Sequence, residues 1–170
     1  MGLLDMFTGS KGPAAGVTKL SAADLRTALL ALNRESAPWL VRDGAPEGCD
    51  LIAEWRIVDA RWYEIFAKAA LSKVFKVLMK LDEAKGEVRA VDHEFTVEWR
   101  AGVPSLSASA EAFRGQKTEI SFGAAYGFTE TLAPGQIYNY RFSTKEIKEP
   151  LQNTVTQSGW RWQGVAFGKL

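Results

Sequence analysis

Hydrophobic and polar residues alternate along much of the chain, which is the pattern of β-strands that bury one face. In the first such segment Leu51, Ala53 and Trp55 fall on one side, and Glu54 and Arg56 fall on the other. Seven segments of this kind are predicted: 50–58, 74–82, 87–100, 105–113, 117–128, 136–142 and 160–167. The short turns between most of these segments favour antiparallel pairing of consecutive strands.

The segment 87–100 contains a change of phase. Val88 and Ala90 share one parity, whereas Val91 and the apolar residues that follow it share the other. One extra residue in the strand would bring both sets onto the same face. We therefore predict a β-bulge near 90–91.

Apolar residues recur at helical spacing in three other segments, and these predict helices at 21–33, at about 60–70 and at 144–158. In the first, Leu25 and Leu29 lie on one stripe. Asp59 is suited to cap the second helix. Pro150 lies inside the third, where it predicts either a kink or the true start of the helix.

Together these elements predict an α+β fold. We expect a curved, largely antiparallel sheet of about seven strands, compatible with a barrel-like closure, packed with an N-terminal helix, a short inserted helix and a C-terminal helix. Residues 8–19 contain three glycines and one proline, a composition typical of linkers. The predicted organisation is a flexible N-terminal tail, 1–19, followed by a single globular domain, 20–170. Within the tail, 1–7 form a short apolar segment that contains Leu3, Leu4, Met6 and Phe7.

Charge and cysteine content exclude several classes of protein. The 170 residues include 21 Lys and Arg against 20 Asp and Glu, a net charge of +1. No segment is strongly basic, so we expect no nucleic-acid partner. A single cysteine cannot form an intramolecular disulfide and favours a reducing compartment. No apolar run of 18 residues occurs. We expect a cytoplasmic protein with at most peripheral membrane contact.

Two neighbouring predicted strands carry a face without large side chains. Gly123 and Ala125 lie on that face of 117–128, and alanines recur at alternate positions in 105–113. Glycine inside a strand often marks a close approach by another group. That group is either the helix 144–158 or a ligand held between this helix and the sheet.

His93 is the single histidine, and alternation places it on the same face as Phe95 and Trp99. It is either a hydrogen-bonded boundary residue, the polar group of an apolar site, or a general base. No phosphate-binding loop, dinucleotide-binding, serine-hydrolase or zinc-protease motif is present. We therefore predict no catalytic residues, no cofactor and no metal, and the sequence leans away from an enzyme.

The sequence does not identify an activity, and a non-enzymatic binding module is the preferred hypothesis. It would hold a small hydrophobic or amphipathic ligand between the sheet and the C-terminal helix. The predicted ligand-binding residues are His93, Trp55, Trp99, Tyr138, Tyr140, Gly123 and Ala125. Two alternatives stay open: a protein–protein or membrane-surface adaptor that uses the N-terminal apolar segment, and an enzyme that uses His93 with a carboxylate. A homodimer through an unpaired strand edge is a further option.

Overall fold

The computed structural model describes residues 9–57, 59–68, 73–107, 114–115, 128–131, 137–140, 144–165 and 170 of the chain. Most of the predicted strand 117–128, with Gly123 and Ala125, lies outside the described residues, and so does the apolar segment 1–7.

Nine strands and three α-helices are present in the described part of the chain. The strands are β1 (Trp39–Asp43), β2 (Leu51–Trp55), β3 (Lys73–Asp82), β4 (Glu87–Arg100), β5 (Val103–Ser107), β6 (Arg114–Gly115), β7 (Phe128–Thr131), β8 (Ile137–Tyr140) and β9 (Arg161–Gly164). The helices are α1 (Ala22–Leu30), α2 (Tyr63–Lys68) and α3 (Thr144–Gln157), with short 3-10 turns at Ala45–Glu47 and Ala60–Trp62.

The main sheet is an antiparallel meander, curled into a half-barrel, in the order β1-β2-β3-β4-β5. The first half of β4 also pairs in parallel with β9, and its centre pairs with the two-residue β6. β7 and β8 form a separate antiparallel ribbon. The predicted α+β class, the curved antiparallel sheet and the three helices are confirmed. The main sheet contains six strands of four or more residues, rather than the predicted number of about seven.

The main core lies between one face of the sheet and the helices α1 and α3. Leu25 and Leu29 of α1 and Ile147, Leu151 and Val155 of α3 are fully buried. Each such side chain contributes about 1.5–3 kcal/mol by leaving water. α3 begins at Thr144, so Pro150 lies inside the helix rather than at its start.

The predicted bulge near 90–91 is wrong. β3 and β4 stay in continuous register over ten pairs, from Lys73 opposite Thr96 to Asp82 opposite Glu87. Ala90 belongs to the main core, whereas Val91 belongs to a second apolar cluster with Cys49, Ile52 and Leu78. The sheet is therefore buried on both faces at this point, and a continuous apolar run needs no extra residue.

Part of the segment 9–20 is bonded to the domain, which its glycine-rich composition did not indicate. The backbone of Lys11 exchanges two hydrogen bonds of 2.8 Å with that of Trp162. Further along, the Leu20 amide donates to the Ser158 carbonyl at 2.9 Å. A division of the chain into a tail and a domain at residue 19 stays a prediction.

Candidate functional site

A partly enclosed cavity of about 210 Å³ lies where β2 ends and β3 begins. One group of its lining residues is apolar: Trp55, Ile57, Val74, Phe75 and Leu106. The other group is charged: Arg42, Glu54 and Lys76. The cavity thus has an apolar part and a polar part, which are the two components of a small-molecule site.

Strand pairing brings the three charged residues together. Glu54 of β2 lies directly opposite Lys76 of β3. Arg42 of β1 lies opposite Ile52, two residues along β2 from Glu54, and reaches the Glu54 carboxylate diagonally. Because side chains two residues apart in a strand share a face, all three project from the same side of the sheet.

The charged group is hydrogen-bonded and partly shielded from water. Arg42 donates from Nε to Glu54 Oε1 at 2.7 Å and from Nη2 to Glu47. Lys76 Nζ lies 3.3 Å from Glu54 Oε2 and 3.6 Å from Glu47 Oε1. The Lys76 side chain is 18% exposed and that of Glu54 is 16% exposed. The attraction between these charges is therefore screened less than at an open surface.

These contacts set the protonation states at the site. The hydrogen bond to Glu54 raises the pKa of Arg42 above its ordinary value, so this side chain remains charged. Burial alone would raise the pKa of Glu47, but the hydrogen bond from Arg42 and the charge of Lys76 outweigh it and lower that pKa. Arg42 and Glu47 are therefore both ionised near neutral pH.

The predicted binding residues lie in different places. Trp55 lines the cavity and is 2% exposed. His93 pairs with Lys76 across β3 and β4, and its ring lies 4.4 Å from that of Phe95, but neither is a lining residue. Trp99 is half-buried and packs against the main core. The role of these residues in binding stays a prediction.

For the remaining predicted residues the structure gives less. Tyr138 and Tyr140 lie on β8, of which the backbone alone is described. Gly123 and Ala125 lie outside the described residues. No described contact therefore joins these four residues to the cavity.

Sequence reasoning missed the charged part of the site. Arg42 lies outside every predicted strand and helix, and Lys76 is not among the predicted binding residues. Their meeting depends on the register of β1 with β2 and of β2 with β3. The available signal was the alternation of opposite charges on adjacent strands, which becomes informative once the register is known.

Sequence reasoning also missed a buried ion pair on the other face of the sheet. Asp92 of β4 is 0% exposed, and its carboxylate pairs with the Lys148 ammonium of α3. Glu94 is also buried on this face, and the Lys73 ammonium lies 3.5 Å from its carboxylate. These carboxylates flank His93 in sequence but project from the opposite side of β4.

In the part of the chain that the structure describes, no group of three or more His, Cys, Asp or Glu side chains is placed to hold a metal ion. No helix among the described residues combines the length and apolar character needed to cross a membrane. Comparison of the chain with family models, curated proteins and solved structures finds no match.

Proposed function

We propose that the protein is a non-enzymatic binding module for a small amphipathic molecule, which binds in the 210 Å³ cavity at the end of β2. The observation that carries this proposal is the composition of the lining. Val74 and Leu106 supply apolar surface, and Arg42 and Lys76 supply charge, within one cavity. Small-molecule sites combine a mainly apolar lining with a few polar groups that orient the ligand.

The volume limits the size of the ligand. An apolar cavity of about 150 Å³ in a protein interior can hold one benzene molecule. The present cavity is somewhat larger, at about 210 Å³, so one ring with a short polar substituent fits without rearrangement. Pockets that hold drug-sized ligands have volumes of about 300–1,000 Å³, so we expect ligands of that size to be excluded.

This placement differs from the one expected from sequence. The face of α3 that packs on the sheet is occupied by Ile147, Leu151 and Val155, all fully buried. A ligand between this helix and the described part of the sheet would have to displace these side chains. The cavity beside β2 needs no such displacement, which supports it as the binding site.

The test is a ligand-observed NMR screen with a set of monocyclic compounds at millimolar concentration. Leu106 lines the cavity, and Leu106→Trp adds a large ring to that space. Val103 lies on the same strand but is 53% exposed, so Val103→Trp is the matched control. We expect binding to the wild type and to the control, and loss of binding to Leu106→Trp. Absence of binding to the wild type, or equal binding to all three proteins, would refute the proposal.

A further inference from the structure

The outer edge of β1 is blocked by a side chain. Asn33 donates from its side-chain amide to the Val41 carbonyl at 2.8 Å and accepts from the Val41 amide at 2.6 Å. The Asn33 backbone amide also donates to the Leu30 carbonyl at the end of α1, at 3.2 Å, which ties the blocking side chain to that helix. A second chain therefore cannot pair with the centre of β1 unless it displaces Asn33.

The outer edge of β9 is closed by the backbone of the same chain instead. One edge of β9 pairs with β4. At the other edge the backbone of Trp162 exchanges two hydrogen bonds of 2.8 Å with that of Lys11, in antiparallel orientation. Free backbone groups on an edge strand are a template for pairing with another extended chain. Lys11 thus occupies a site at which a strand can be added.

Residues 9–14, which we call the edge segment, are lightly attached. Ser10 is the one buried residue of this segment, and Lys11 and Pro13 are exposed. Besides the two bonds of Lys11, the Ala14 amide donates to the Thr156 carbonyl at 2.9 Å. The attachment therefore depends on hydrogen bonds rather than on buried apolar side chains. Segments of this kind open at a lower free energy than the core of a domain.

The residues that follow the edge segment are held more firmly and are preceded by a turn. The Leu20 amide donates to the Ser158 carbonyl at 2.9 Å, and the fully buried Trp160 donates from Nε1 to the Leu20 carbonyl at 2.8 Å. Ala15 and Gly16 form the turn between the two attachments, and Gly16 has a φ of +72°. Because glycine changes readily between backbone conformations, this turn is suited to act as a hinge.

We infer that the outer edge of β9 is a strand-exchange site, at which the edge segment of one copy replaces that of a second copy. The second copy brings the identical sequence, so the exchanged pair forms the same hydrogen bonds. The closed and exchanged forms then differ mainly in the hinge and in the freedom lost on association. Exchange in both directions gives a symmetric dimer. This inference does not depend on the cavity or on the proposed function.

The first test is amide hydrogen exchange of the full chain, measured residue by residue by NMR. Exchange of the edge segment requires that it opens without global unfolding. We expect the Lys11 and Trp162 amides to exchange at least about a hundredfold faster than the amides of the central strand β3. One common rate for all of these amides would show that the edge segment leaves β9 only when the domain unfolds, and would overturn the inference.

The second test shortens the hinge. Deletion of Ala15 and Gly16 removes the turn and up to about 7 Å of chain, so the edge segment reaches its own β9 less easily than that of a second copy. Molar masses are measured by size-exclusion chromatography with light scattering between about 10 µM and 1 mM. We expect a dimer fraction that rises with concentration and exceeds that of the wild type at least about tenfold.

Two substitutions at Lys11 in this deletion variant show where the copies meet. Lys11→Pro removes the amide that donates to the Trp162 carbonyl, whereas Lys11→Ala keeps that amide and changes only an exposed side chain. We expect the dimer to persist with Lys11→Ala and to dissociate with Lys11→Pro. A deletion variant that stays monomeric at every concentration would overturn the inference. A dimer that persists with Lys11→Pro would place the association surface elsewhere and would overturn it as well.

Discussion

The buried ion pair between Asp92 and Lys148 gives the sharpest stability prediction. Lys148→Met keeps most of the side-chain volume and removes the positive charge. Asp92 is 0% exposed and the Lys148 side chain is 11% exposed, so water cannot replace the lost ammonium. Breaking such a pair by removing one partner costs about 3–5 kcal/mol. That is a large share of a typical folding free energy of about 5–15 kcal/mol.

The double variant Asp92→Leu with Lys148→Met distinguishes the loss of the ion pair from the loss of packing. Replacement of both partners by apolar residues removes the buried carboxylate as well, and such replacements are often neutral or stabilising. The double variant should therefore recover most of the stability that Lys148→Met loses. Lys145→Met is the control on the same helix, because the Lys145 side chain is 62% exposed. It should cost at most about 0.5 kcal/mol.

The assay is urea unfolding followed by tryptophan fluorescence, since the chain has six tryptophans. Free energies of unfolding are compared at pH 7 with the slopes of the transitions checked for equality. The reasoning is refuted if Lys148→Met loses less than about 1 kcal/mol, which is the range of an exposed pair. It is also refuted if the double variant is no more stable than Lys148→Met.

Three further substitutions test the edge strand β1, the turn after α3 and the charged group at the cavity. The Asn33 side chain exchanges two hydrogen bonds with the Val41 backbone on the edge strand β1. Asn33→Ala should therefore lower the free energy of unfolding in urea by about 1–3 kcal/mol. A change below about 0.5 kcal/mol, the effect of an ordinary surface substitution, would argue against this role. At Gly159, with φ +78°, an added Cβ would lie 2.6 Å from a backbone atom of the N-terminal segment, whereas at Gly16, with φ +72°, it would meet nothing. Gly159→Ala should therefore lower the melting temperature clearly more than Gly16→Ala, and equal shifts would contradict the close approach. The pKa of Glu47 in the folded state is lowered from 4.5, so its carboxylate stabilises the fold above that pH and this contribution is lost as the pH falls through the lowered value. Stability of Glu47→Gln should thus depend less on pH than that of the wild type between about pH 5 and 3, and parallel profiles would be contrary evidence.

The bounds of the long periodic elements were predicted closely from the sequence. β4 matches its predicted bounds, 87–100, and β3 begins one residue before its predicted start. α3 ends one residue before the predicted end of 144–158. In each case a long periodic stretch repeats the same signal many times, so one atypical residue does not hide it.

The errors have local physical causes. β1 was missed because it is only five residues long and begins immediately after Pro38, and proline is typical of turns. The bulge at 90–91 was predicted because burial of one face was assumed, whereas Ala90 and Val91 are buried on opposite faces. Periodicity alone cannot distinguish a bulged strand that buries one face from a regular strand that buries both faces.

The candidate site was accessible from sequence only in part. Trp55 was found because a large aromatic residue on a predicted strand is an obvious candidate. Arg42 and Lys76 were not found, because their proximity to Glu54 depends on two strand registers. No local sequence pattern indicates these registers. The buried pair of Asp92 and Lys148 depends on the packing of α3 against β4, a contact between residues distant in sequence.

Binding of a small molecule in the cavity beside β2 can be measured as a map of amide chemical-shift changes on a ¹⁵N-labelled full chain, titrated with a monocyclic compound that the screen selects. We expect saturable changes that are lost in Leu106→Trp. They should be centred on the lining residues Arg42, Glu54, Trp55, Ile57, Val74, Phe75, Lys76 and Leu106. Changes centred on another part of the sheet, or unaltered in Leu106→Trp, would contradict it.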